Sequence, residues 1–415
     1  MAEKLSLYLH IPFCRSKCDY CDFYSLAGRD DRMDDYQKAL VKHLKEAAPR
    51  VKGYPVESVY FGGGTPSYYG EKRIRELLGV VRRHYNVCHD AEITMEANPD
   101  SVNRRDLAWL RFAGVNRLSL GIQSTCDREL SALHRPHTFA QAREAVLAAR
   151  AAKFKNISLD LICGLPGQTL EGWKDTLEQA VRLAPEHLSC YGLKVEEGTP
   201  LAARAARGEL LPDDDAQADM YLWAVKRLAE AGYRQYEISN FARSGFQSRH
   251  NLRYWMMKPY LGFGPGAHSD FGGRRFSFVK DLDAYIDGIL NGGTVMDSSE
   301  TIPQRERSGE YLMLCLRTTR GIEEWEYRRT YFMNFDAIEG KLAEFEHRGW
   351  ATRAGNRWRL TPEGFLLSNQ LIVELMERQE AAALSGTLER LRHVADKMGR
   401  TAKEVGHGAE PPEKP

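Results

Sequence analysis

The sequence has no long hydrophobic run and no excess of charge of either sign. None of its apolar stretches approaches the roughly 18–20 residues that a membrane-spanning helix needs. Its 58 Lys and Arg residues are balanced by 57 Asp and Glu residues, so the net charge gives no general reason to bind nucleic acid or an acidic membrane. We therefore predict no nucleic-acid partner and at most an indirect association with membranes.

We also expect no secretory leader. The first residues, MAEKLSLYLHIPFC, lack an apolar core followed by a small-residue cleavage site. We therefore expect a cytoplasmic protein, in which thiols stay reduced and structural disulfides are rare. The chain has 415 residues, which suggests two or three domains, and its 43% hydrophobic content is ample for a core. The eight cysteines then need another explanation.

The cysteines are unevenly spread. Cys14, Cys18 and Cys21 fall within eight residues, in the spacing C-x3-C-x2-C, while the other five are isolated. Three thiolates on one loop suit a [4Fe–4S] cluster, in which each thiolate binds one iron and the fourth iron stays open to a small molecule. A zinc site with a distant fourth ligand such as His10 is the alternative. Isolated cysteines such as Cys163 are interpreted as small buried hydrophobes.

Strand-like and helix-like segments alternate along the first half of the chain. We predict helices over Met33–Ala48, Glu71–His84 and Phe139–Ala152. The predicted strands are Leu5–Ile11, Ser58–Phe61, Glu92–Glu96, Arg117–Ile122, Ile157–Ile162 and Leu188–Leu193. This alternation predicts an α/β fold with a parallel sheet, either doubly wound or an incomplete (β/α) barrel. In both cases the functional site lies at the carboxyl ends of the strands.

Unusual residues follow those predicted strand ends. Gly62-Gly63-Gly64 and Thr65 follow the second strand, and Glu96, Gln123 and Asp160 end or lie on the next three. Glycines let backbone groups approach a ligand closely, and a carboxylate at a strand end can accept hydrogen bonds from ribose hydroxyls. Together with the cysteines, these residues favour a nucleoside-type cofactor beside a cluster.

The segment Tyr8–Cys14, followed by Cys18 and Cys21, resembles the radical S-adenosylmethionine superfamily. Within it the chain is similar to the HemW family of heme chaperones, which are relatives of the oxygen-independent coproporphyrinogen III oxidase HemN. The similarity extends over nearly the whole chain before the tail. It implies a partial (β/α)6 TIM-type barrel that holds a [4Fe–4S] cluster and S-adenosylmethionine. In this superfamily an electron from the cluster cleaves S-adenosylmethionine to methionine and a 5′-deoxyadenosyl radical.

The resemblance also implies roles for individual residues. The positions that match contacts to cluster-bound S-adenosylmethionine are Tyr8, Gly63 and Glu96. The positions that match those around a second S-adenosylmethionine in HemN are Tyr20, Gly64, Thr65, Gln123, Arg135 and Asp160. The three cysteines match the cluster ligands, and an electron donor for the cluster is implied as a partner.

Two departures favour the HemW family over HemN. HemN has a further cysteine two residues after the third, where this chain has Phe23, and it has a longer segment before the cluster loop. The implied function is a heme chaperone that passes heme to an acceptor such as a respiratory enzyme. The alternatives are oxidative decarboxylation of coproporphyrinogen III and another radical reaction of this branch, such as methyl transfer or heme degradation.

The segment Ser248–Trp255 is similar to the HNxxYW motif of the HemW family. The imidazole of His250 is a suitable axial ligand for heme iron, and Tyr254 and Trp255 could pack on the macrocycle. Arg249 or Arg253 could pair with the heme propionates. His268, after a glycine-rich turn, is a second and weaker ligand candidate. The alternative is a loop histidine with aromatic residues in the core.

We predict three regions. Residues 1–295 form the barrel, 296–378 a small C-terminal α+β domain that resembles a winged helix, and 379–415 a helical and charged tail whose end is disordered. The polar, turn-rich stretch Gly292–Arg305 is interpreted as a linker. A winged helix could bind DNA, but no concentrated basic patch supports that function here.

Overall fold

The computed structural model describes residues 3–382, and these form two compact units. The first unit contains residues 3–303 and the short segment Arg317–Thr319. The second contains residues 304–316 and 320–382. The predicted charged tail lies outside the described residues from position 383 onwards. Within the described part of the chain, no helix is long and apolar enough to cross a bilayer.

The strands are β1 (Leu5–Ile11), β2 (Phe13–Cys14), β3 (Leu26–Ala27), β4 (Val56–Gly63), β5 (Val87–Ala97), β6 (Arg117–Gln123), β7 (Ile157–Cys163), β8 (His187–Gly192), β9 (Arg234–Gln235), β10 (Asn240–Ala242), β11 (Tyr260–Phe263), β12 (His268–Phe271), β13 (Arg274–Phe278), β14 (Met296–Thr301), β15 (Ile322–Glu323), β16 (Ala351–Ala354) and β17 (Arg357–Leu360).

The α-helices are α1 (Met33–Ala47), α2 (Pro66–Tyr69), α3 (Glu71–His84), α4 (Arg104–Ala113), α5 (Asp127–Ala132), α6 (Phe139–Ala151), α7 (Leu170–Arg182), α8 (Pro200–Ala206), α9 (Asp214–Glu230), α10 (Arg249–Trp255), α11 (Leu282–Asn291), α12 (Gln304–Cys315), α13 (Glu324–Tyr331), α14 (Asp336–His347) and α15 (Pro362–Leu366).

The first unit is built on one large twisted sheet. Its strand order is β14-β13-β12-β11-β1-β4-β5-β6-β7-β8-β10-β9. Strands β1 and β4 to β8 are parallel neighbours joined by helical crossovers, and β11 adds a further parallel strand beside β1. Antiparallel strands extend both edges. The predicted α/β fold with six βα units is confirmed, and each predicted strand and helix matches an observed one within a few residues.

The two faces of the parallel strands differ in chemistry. In β1, Leu5, Leu7 and Leu9 are fully buried in the main hydrophobic core, whereas Ser6 and Tyr8 alternate with them and point to the other face. The apolar face is covered by helices such as α1, whose buried residues recur at helical spacing. The opposite, inner face is polar in every strand of the parallel set, so it forms the wall of a cavity rather than a dry core.

One stretch differs from its prediction. Residues Met296–Thr301, interpreted as part of a linker, form β14, which pairs antiparallel with β13. Because all six residues are exposed on an edge strand, they carry no hydrophobic alternation that would indicate a strand. The first unit therefore extends to residue 303, beyond the point at which we placed the start of the C-terminal domain.

The second unit combines helices α12 to α15 with the small antiparallel sheet β15-β17-β16. Trp358 on β17 is buried at its centre. The predicted hairpin is formed by β16 and β17, and Thr361 caps α15 as its hydroxyl accepts a hydrogen bond from Gly364 N. The order helix, strand, two helices and hairpin matches the predicted winged-helix-like α+β arrangement.

Replacing Gly262 by Ala tests the close approach of β11 and β12. A Cβ at Gly262 would overlap the carbonyl oxygen of His268 and lie 3.0 Å from the Cβ of Ala267. Because the obstacle is backbone, we expect a loss of about 1–3 kcal/mol in the free energy of unfolding, measured by urea denaturation. The control is Gly79→Ala on the exposed face of α3, where nothing lies within 4 Å and a gain of about 0.5–1 kcal/mol is expected. Equal effects of the two substitutions would contradict this packing.

Candidate cofactor site

The three clustered cysteines lie on a loop that is closed at its base. Strand β1 continues through Pro12 into β2, and β2 pairs with β3, so Phe13 lies opposite Leu26 and Cys14 opposite Ala27. A turn inside the loop is held by a hydrogen bond from Cys21 N to Cys18 O, at 3.2 Å. The loop thus presents its cysteines from a short, tethered segment at the carboxyl end of β1.

The triple glycine packs directly against this loop. Gly64 N donates to Ile11 O and Thr65 N to Phe13 O, both at 2.8 Å. A Cβ at Gly64 would lie 2.8 Å from Phe13 O and 2.9 Å from Ile11 O, so only glycine allows this backbone contact. The Thr65 hydroxyl oxygen then lies 3.3 Å from the sulfur of Cys14. Gly64 therefore allows the glycine turn to pack against the base of the cysteine loop. The sequence did not indicate this role.

A cavity of about 480 Å³ opens at this edge of the sheet. Its walls contain all three clustered cysteines and most of the residues predicted to bind S-adenosylmethionine: Tyr20, Gly63, Gly64, Thr65, Glu96, Gln123, Arg135 and Asp160. Tyr8 does not line this cavity but a neighbouring one. Strand ends far apart in sequence therefore meet around the cysteine loop, as the parallel topology predicted.

The chemistry of the three thiols fits an iron–sulfur cluster better than a single ion. Within residues 3–382, no group of three or more His, Cys, Asp or Glu side chains is placed to hold one metal ion. A [4Fe–4S] cluster instead takes one thiolate on each iron. Burial raises the pKa of the Cys14 and Cys21 thiols, so iron binding there would release protons. His10, considered as a zinc ligand, lies outside the cysteine cavity.

Arg135 places a positive charge beside the cysteines. One of its terminal nitrogens donates to the sulfur of Cys18 at 3.2 Å, and the other donates to Asn98 Oδ1 and Gly121 O, both at 2.8 Å. Its Nε is buried without a hydrogen-bond partner among the described residues. The guanidinium group thus places a positive charge against the sulfur of Cys18. Nearby, burial raises the pKa of the Tyr20 hydroxyl, which keeps that group neutral.

Glu96, the penultimate residue of β5, lies in the cavity wall. Its carboxylate accepts hydrogen bonds from the Tyr60 hydroxyl at 2.7 Å and from Gly63 N at 3.1 Å. Burial, opposed by the Tyr60 hydrogen bond and reinforced by the charge of Asp160, raises the pKa of Glu96 to about 7. This carboxyl can therefore either accept or donate a hydrogen bond near neutral pH.

Asp160 is held on the inner face of β7 by three hydroxyl groups. It accepts hydrogen bonds from Ser119 at 2.9 Å, Ser158 at 3.1 Å and Ser189 at 2.7 Å. These serines come from β6, β7 and β8, so the carboxylate is fixed by the register of three strands. Gln123 ends β6 with a positive φ of 61°, which turns the chain into the cavity wall.

Arg117 also lines the cavity, although the sequence patterns did not single it out as a site residue. Its side chain is 1% exposed and lines the cavity, and its Nε has no hydrogen-bond partner among the described residues. The carboxylate of Glu92, on the neighbouring strand, stabilises its charge. The predicted strand Arg117–Ile122 begins with this arginine, and the alternation of polar residues along it was the signal that could have identified it.

A second cavity of about 760 Å³ adjoins the first. The residues that line both cavities include Phe23, Tyr60, Gly63, Glu96 and Tyr191. The predicted heme residues His250 and Tyr254 line the second cavity only, as do Tyr8, His10 and His268. The two predicted sites are therefore neighbours with a common wall.

The HNxxYW segment forms α10, capped by the Ser248 hydroxyl. His250 is buried, its Nδ1 lies 2.9 Å from Ser58 Oγ, and its Nε2 lies 2.9 Å from the Tyr254 hydroxyl. Burial lowers the pKa of His250 to about 3, so the imidazole is neutral. Binding iron through Nε2 therefore requires Tyr254 to move. Trp255 lines neither cavity.

The structure does not bring the two candidate arginines to the second cavity. Arg249 pairs with Asp90 at 3.2 Å, and Arg253 pairs with Glu57 and donates to the carbonyl of Pro259 at 3.0 Å. Neither lines the second cavity. Both guanidinium groups hold α10 against the sheet, so the proposed pairing of either arginine with a propionate is not supported.

Comparison with known proteins agrees with this geometry. Residues 8–180 match the radical SAM superfamily model. The chain is 35% identical over 369 residues to "Heme chaperone HemW" of Bacillus subtilis, covering 88% of this chain and 97% of that protein. It is 36% identical over 372 residues to the protein of the same name from Escherichia coli, covering 89% and 97%.

The chain belongs to the HemW family. Among solved structures, coproporphyrinogen III oxidase (HemN) from Escherichia coli, described as a radical SAM enzyme, superimposes with a TM-score of 0.79 at 25% identity over 90% of both chains. The HemW relationship thus extends over nearly the whole length of the chain, and the HemN likeness confirms the radical SAM fold.

Acidification should destabilise the apo protein, because five histidines, four of them buried and one half-buried, are kept neutral by the fold. Burial lowers the pKa of each below its ordinary value near 6.5, and these residues are His10, His43, His137, His187 and His250. As pH falls from 6.5 towards 4, the unfolded chain takes up protons that the folded protein excludes, so stability falls. We expect the urea midpoint to drop steadily between pH 7 and pH 5.

Two carboxyls, Glu237 in the core and the half-buried Glu96 in the cavity wall, oppose this trend without reversing it. Burial raises the pKa of Glu96 and Glu237 to about 7, so between pH 7 and the ordinary value near 4.5 the folded protein holds protons that the unfolded chain does not. Five histidines outweigh two carboxyls, which leaves a net uptake of about two to three protons on unfolding. An unfolding free energy that stays constant or rises on acidification would contradict this assignment.

Proposed function

We propose that this chain is a heme chaperone that holds a [4Fe–4S] cluster and S-adenosylmethionine in the first cavity and heme in the second. The observation that carries the proposal is the 35–36% identity to HemW proteins over nearly the full chain, joined to two cavities that share a wall. The heme would pass to an acceptor protein, such as a respiratory enzyme, and an electron donor would serve the cluster. We propose a cytoplasmic location.

The residues of the first cavity have distinct proposed roles. Cys14, Cys18 and Cys21 would hold the cluster, and Arg135 would balance its negative charge through the contact to Cys18. Glu96 and Gly63, already joined by a hydrogen bond, would hold cluster-bound S-adenosylmethionine. The cluster and S-adenosylmethionine together would supply one-electron chemistry at this rim.

A second S-adenosylmethionine is a further proposal for the same cavity. The residues that match its contacts, which include Tyr20, Gln123 and Asp160, line the cavity with the first set. Asp160 presents a carboxylate to which a ribose hydroxyl can donate. Tyr8 differs from the others, since its hydroxyl lies 3.0 Å from His10 Nδ1 on the wall of the second cavity.

A second candidate function is the oxidative decarboxylation of coproporphyrinogen III. It is favoured by the superposition on HemN, with a TM-score of 0.79. Against it stands Phe23, 66% exposed on the cluster loop, where the resemblance to HemN calls for a cysteine. Both functions would place a tetrapyrrole beside the cluster. A measurement of catalytic turnover with coproporphyrinogen III therefore distinguishes the two functions.

Cys18→Ser should prevent assembly of an intact cluster. A serine hydroxyl is a poor ligand for iron compared with a thiolate, and two remaining cysteines leave two irons open. After anaerobic reconstitution we expect less than about a tenth of the wild-type iron and sulfide and loss of the visible cluster absorbance. Cys88→Ser is the matched control, because Cys88 on β5 is half-buried and lines neither cavity. Full cluster content in Cys18→Ser would refute the ligand assignment.

Heme titration and turnover decide between the two functions. The reconstituted protein should bind about one equivalent of heme, followed by its absorption spectrum. Incubated with coproporphyrinogen III, S-adenosylmethionine and a reductant, it should form no protoporphyrinogen. Catalytic formation of protoporphyrinogen would overturn the chaperone proposal, and heme binding without turnover would support it.

A further inference from the structure

The second cavity contains three histidines, and they differ in what their imidazoles already contact. His10 is 6% exposed, and its nitrogens lie 3.0 Å from the Tyr8 hydroxyl and 2.8 Å from the carbonyl oxygen of Tyr24. His250 is 1% exposed and has hydrogen bonds at both nitrogens. His268 is exposed, and its imidazole has no hydrogen-bond partner among residues 3–382. Of the three, only His268 offers a lone pair to the cavity without breaking an existing contact.

The position of His268 is fixed by the glycine-rich turn between β11 and β12. Gly264 and Gly266 have φ angles of +107° and +70°, which few other residues adopt. Gly262 N donates to Ser269 Oγ at 3.0 Å, and His268 lies opposite Ser277 of β13. His268 is thus the first residue of a paired strand rather than part of a free loop. This backbone can hold a ligand side chain at a constant place in the cavity wall.

A cation lies in the same wall. Lys280 follows β13 and lines the second cavity; the residue is exposed, and its stem lies near Gly266. It forms no ion pair with a carboxylate among the described residues. Lys280 and His10 line the same cavity, and the pKa of His10 is lowered mainly by burial, with the charge of Lys280 acting in the same direction. The iron of heme can bind an imidazole nitrogen, and the heme propionates can pair with a cation. His268 could therefore bind the iron, and Lys280 could pair with a propionate.

An exposed aromatic side chain completes the cavity. Phe23 is 66% exposed, and Tyr191 is 40% exposed, and both line the wall shared by the two cavities. An exposed phenyl ring beside a large cavity is the kind of apolar surface that a flat ligand covers. The cavity volume of about 760 Å³ lies within the usual range of roughly 300–1,000 Å³ for cofactor sites.

We propose that the iron of heme in the second cavity is bound by His268, while Lys280 pairs with a propionate and Phe23 covers the macrocycle. This inference rests on the proposed heme-chaperone function. The bond forms as an imidazole nitrogen of His268 donates its electron pair to iron, with no change in the oxidation state of the metal. His250 then acts as a positioning residue, which joins Ser58 to Tyr254 and holds the cavity wall in place.

The first test titrates full-length protein with ferric heme and follows the absorption and electron paramagnetic resonance spectra. His268→Ala should weaken binding at least tenfold and remove the signature of histidine ligation, and added imidazole should restore that signature. The matched control is His89→Ala, an exposed histidine outside both cavities, which should leave the affinity within about twofold of wild type. Because His268 is exposed, an unchanged thermal midpoint of His268→Ala shows that its fold is intact.

The second test concerns the cation. Lys280→Ala should weaken binding of heme several-fold but leave binding of the heme dimethyl ester, which lacks propionate charge, unchanged. The control is Lys258→Ala, an exposed lysine outside both cavities, which should affect neither ligand. Equal weakening for heme and its ester would overturn the propionate assignment.

The outcomes separate this inference from the function on which it rests. If the wild-type protein binds no heme, the chaperone proposal itself fails. If the wild-type protein binds heme and His268→Ala retains both affinity and spectrum, the chaperone function stands but the ligand assignment is wrong. If His250→Ala loses the signature of histidine ligation and His268→Ala keeps it, the assignment of His268 is wrong and His250 is the iron ligand.

Discussion

The polar inner face of the parallel sheet is the constraint on which the rest of the molecule depends. A buried polar group without a hydrogen-bond partner is costly, so these side chains must satisfy one another or a ligand. The serines on β6, β7 and β8 do so for Asp160, and Tyr60 and the Gly63 amide do so for Glu96. Each of these contacts exists only in one strand register. The register of the sheet therefore determines which side chains meet in the cavity wall.

The same face explains why two cavities lie side by side. Since the interior is polar, the hydrophobic core must form on the outer face, where the helices pack, and the centre of the sheet stays open. The cysteine loop covers one part of this opening, and the turn before β12 and helix α10 border another. A cofactor site and a cargo site can therefore share a wall without any rearrangement of the core.

Local sequence features predicted much of this arrangement. The apolar alternation of β1 and the helical periodicity of α3 were sufficient to place both elements within a residue or two. The cysteine spacing and the residues at strand ends identified the first cavity, because parallel strands bring their carboxyl ends together. Strand β14 was missed since its six exposed residues show no hydrophobic pattern, and an edge strand of this kind depends on its partner.

Other features depended on contacts that sequence patterns do not encode. The motif around His250 predicted a metal ligand, but Ser58, distant in sequence, occupies one of its nitrogens. Gly64 looked like a ligand-approach glycine, whereas its backbone packs on Ile11 and Phe13. Arg253 was a propionate candidate until the fold placed Glu57 beside it. In each case the deciding partner comes from another strand or loop.

The amino-acid sequence by itself determined the family, the parallel βα order and the three clustered thiols. These follow from local spacing and periodicity, which the chain carries before it folds. Only the tertiary structure decided which side chains in a cavity wall have a polar atom that is not already hydrogen-bonded. That outcome depends on strand register and on long-range partners, because a histidine is available to a ligand only where no neighbouring hydroxyl or carbonyl has already satisfied it.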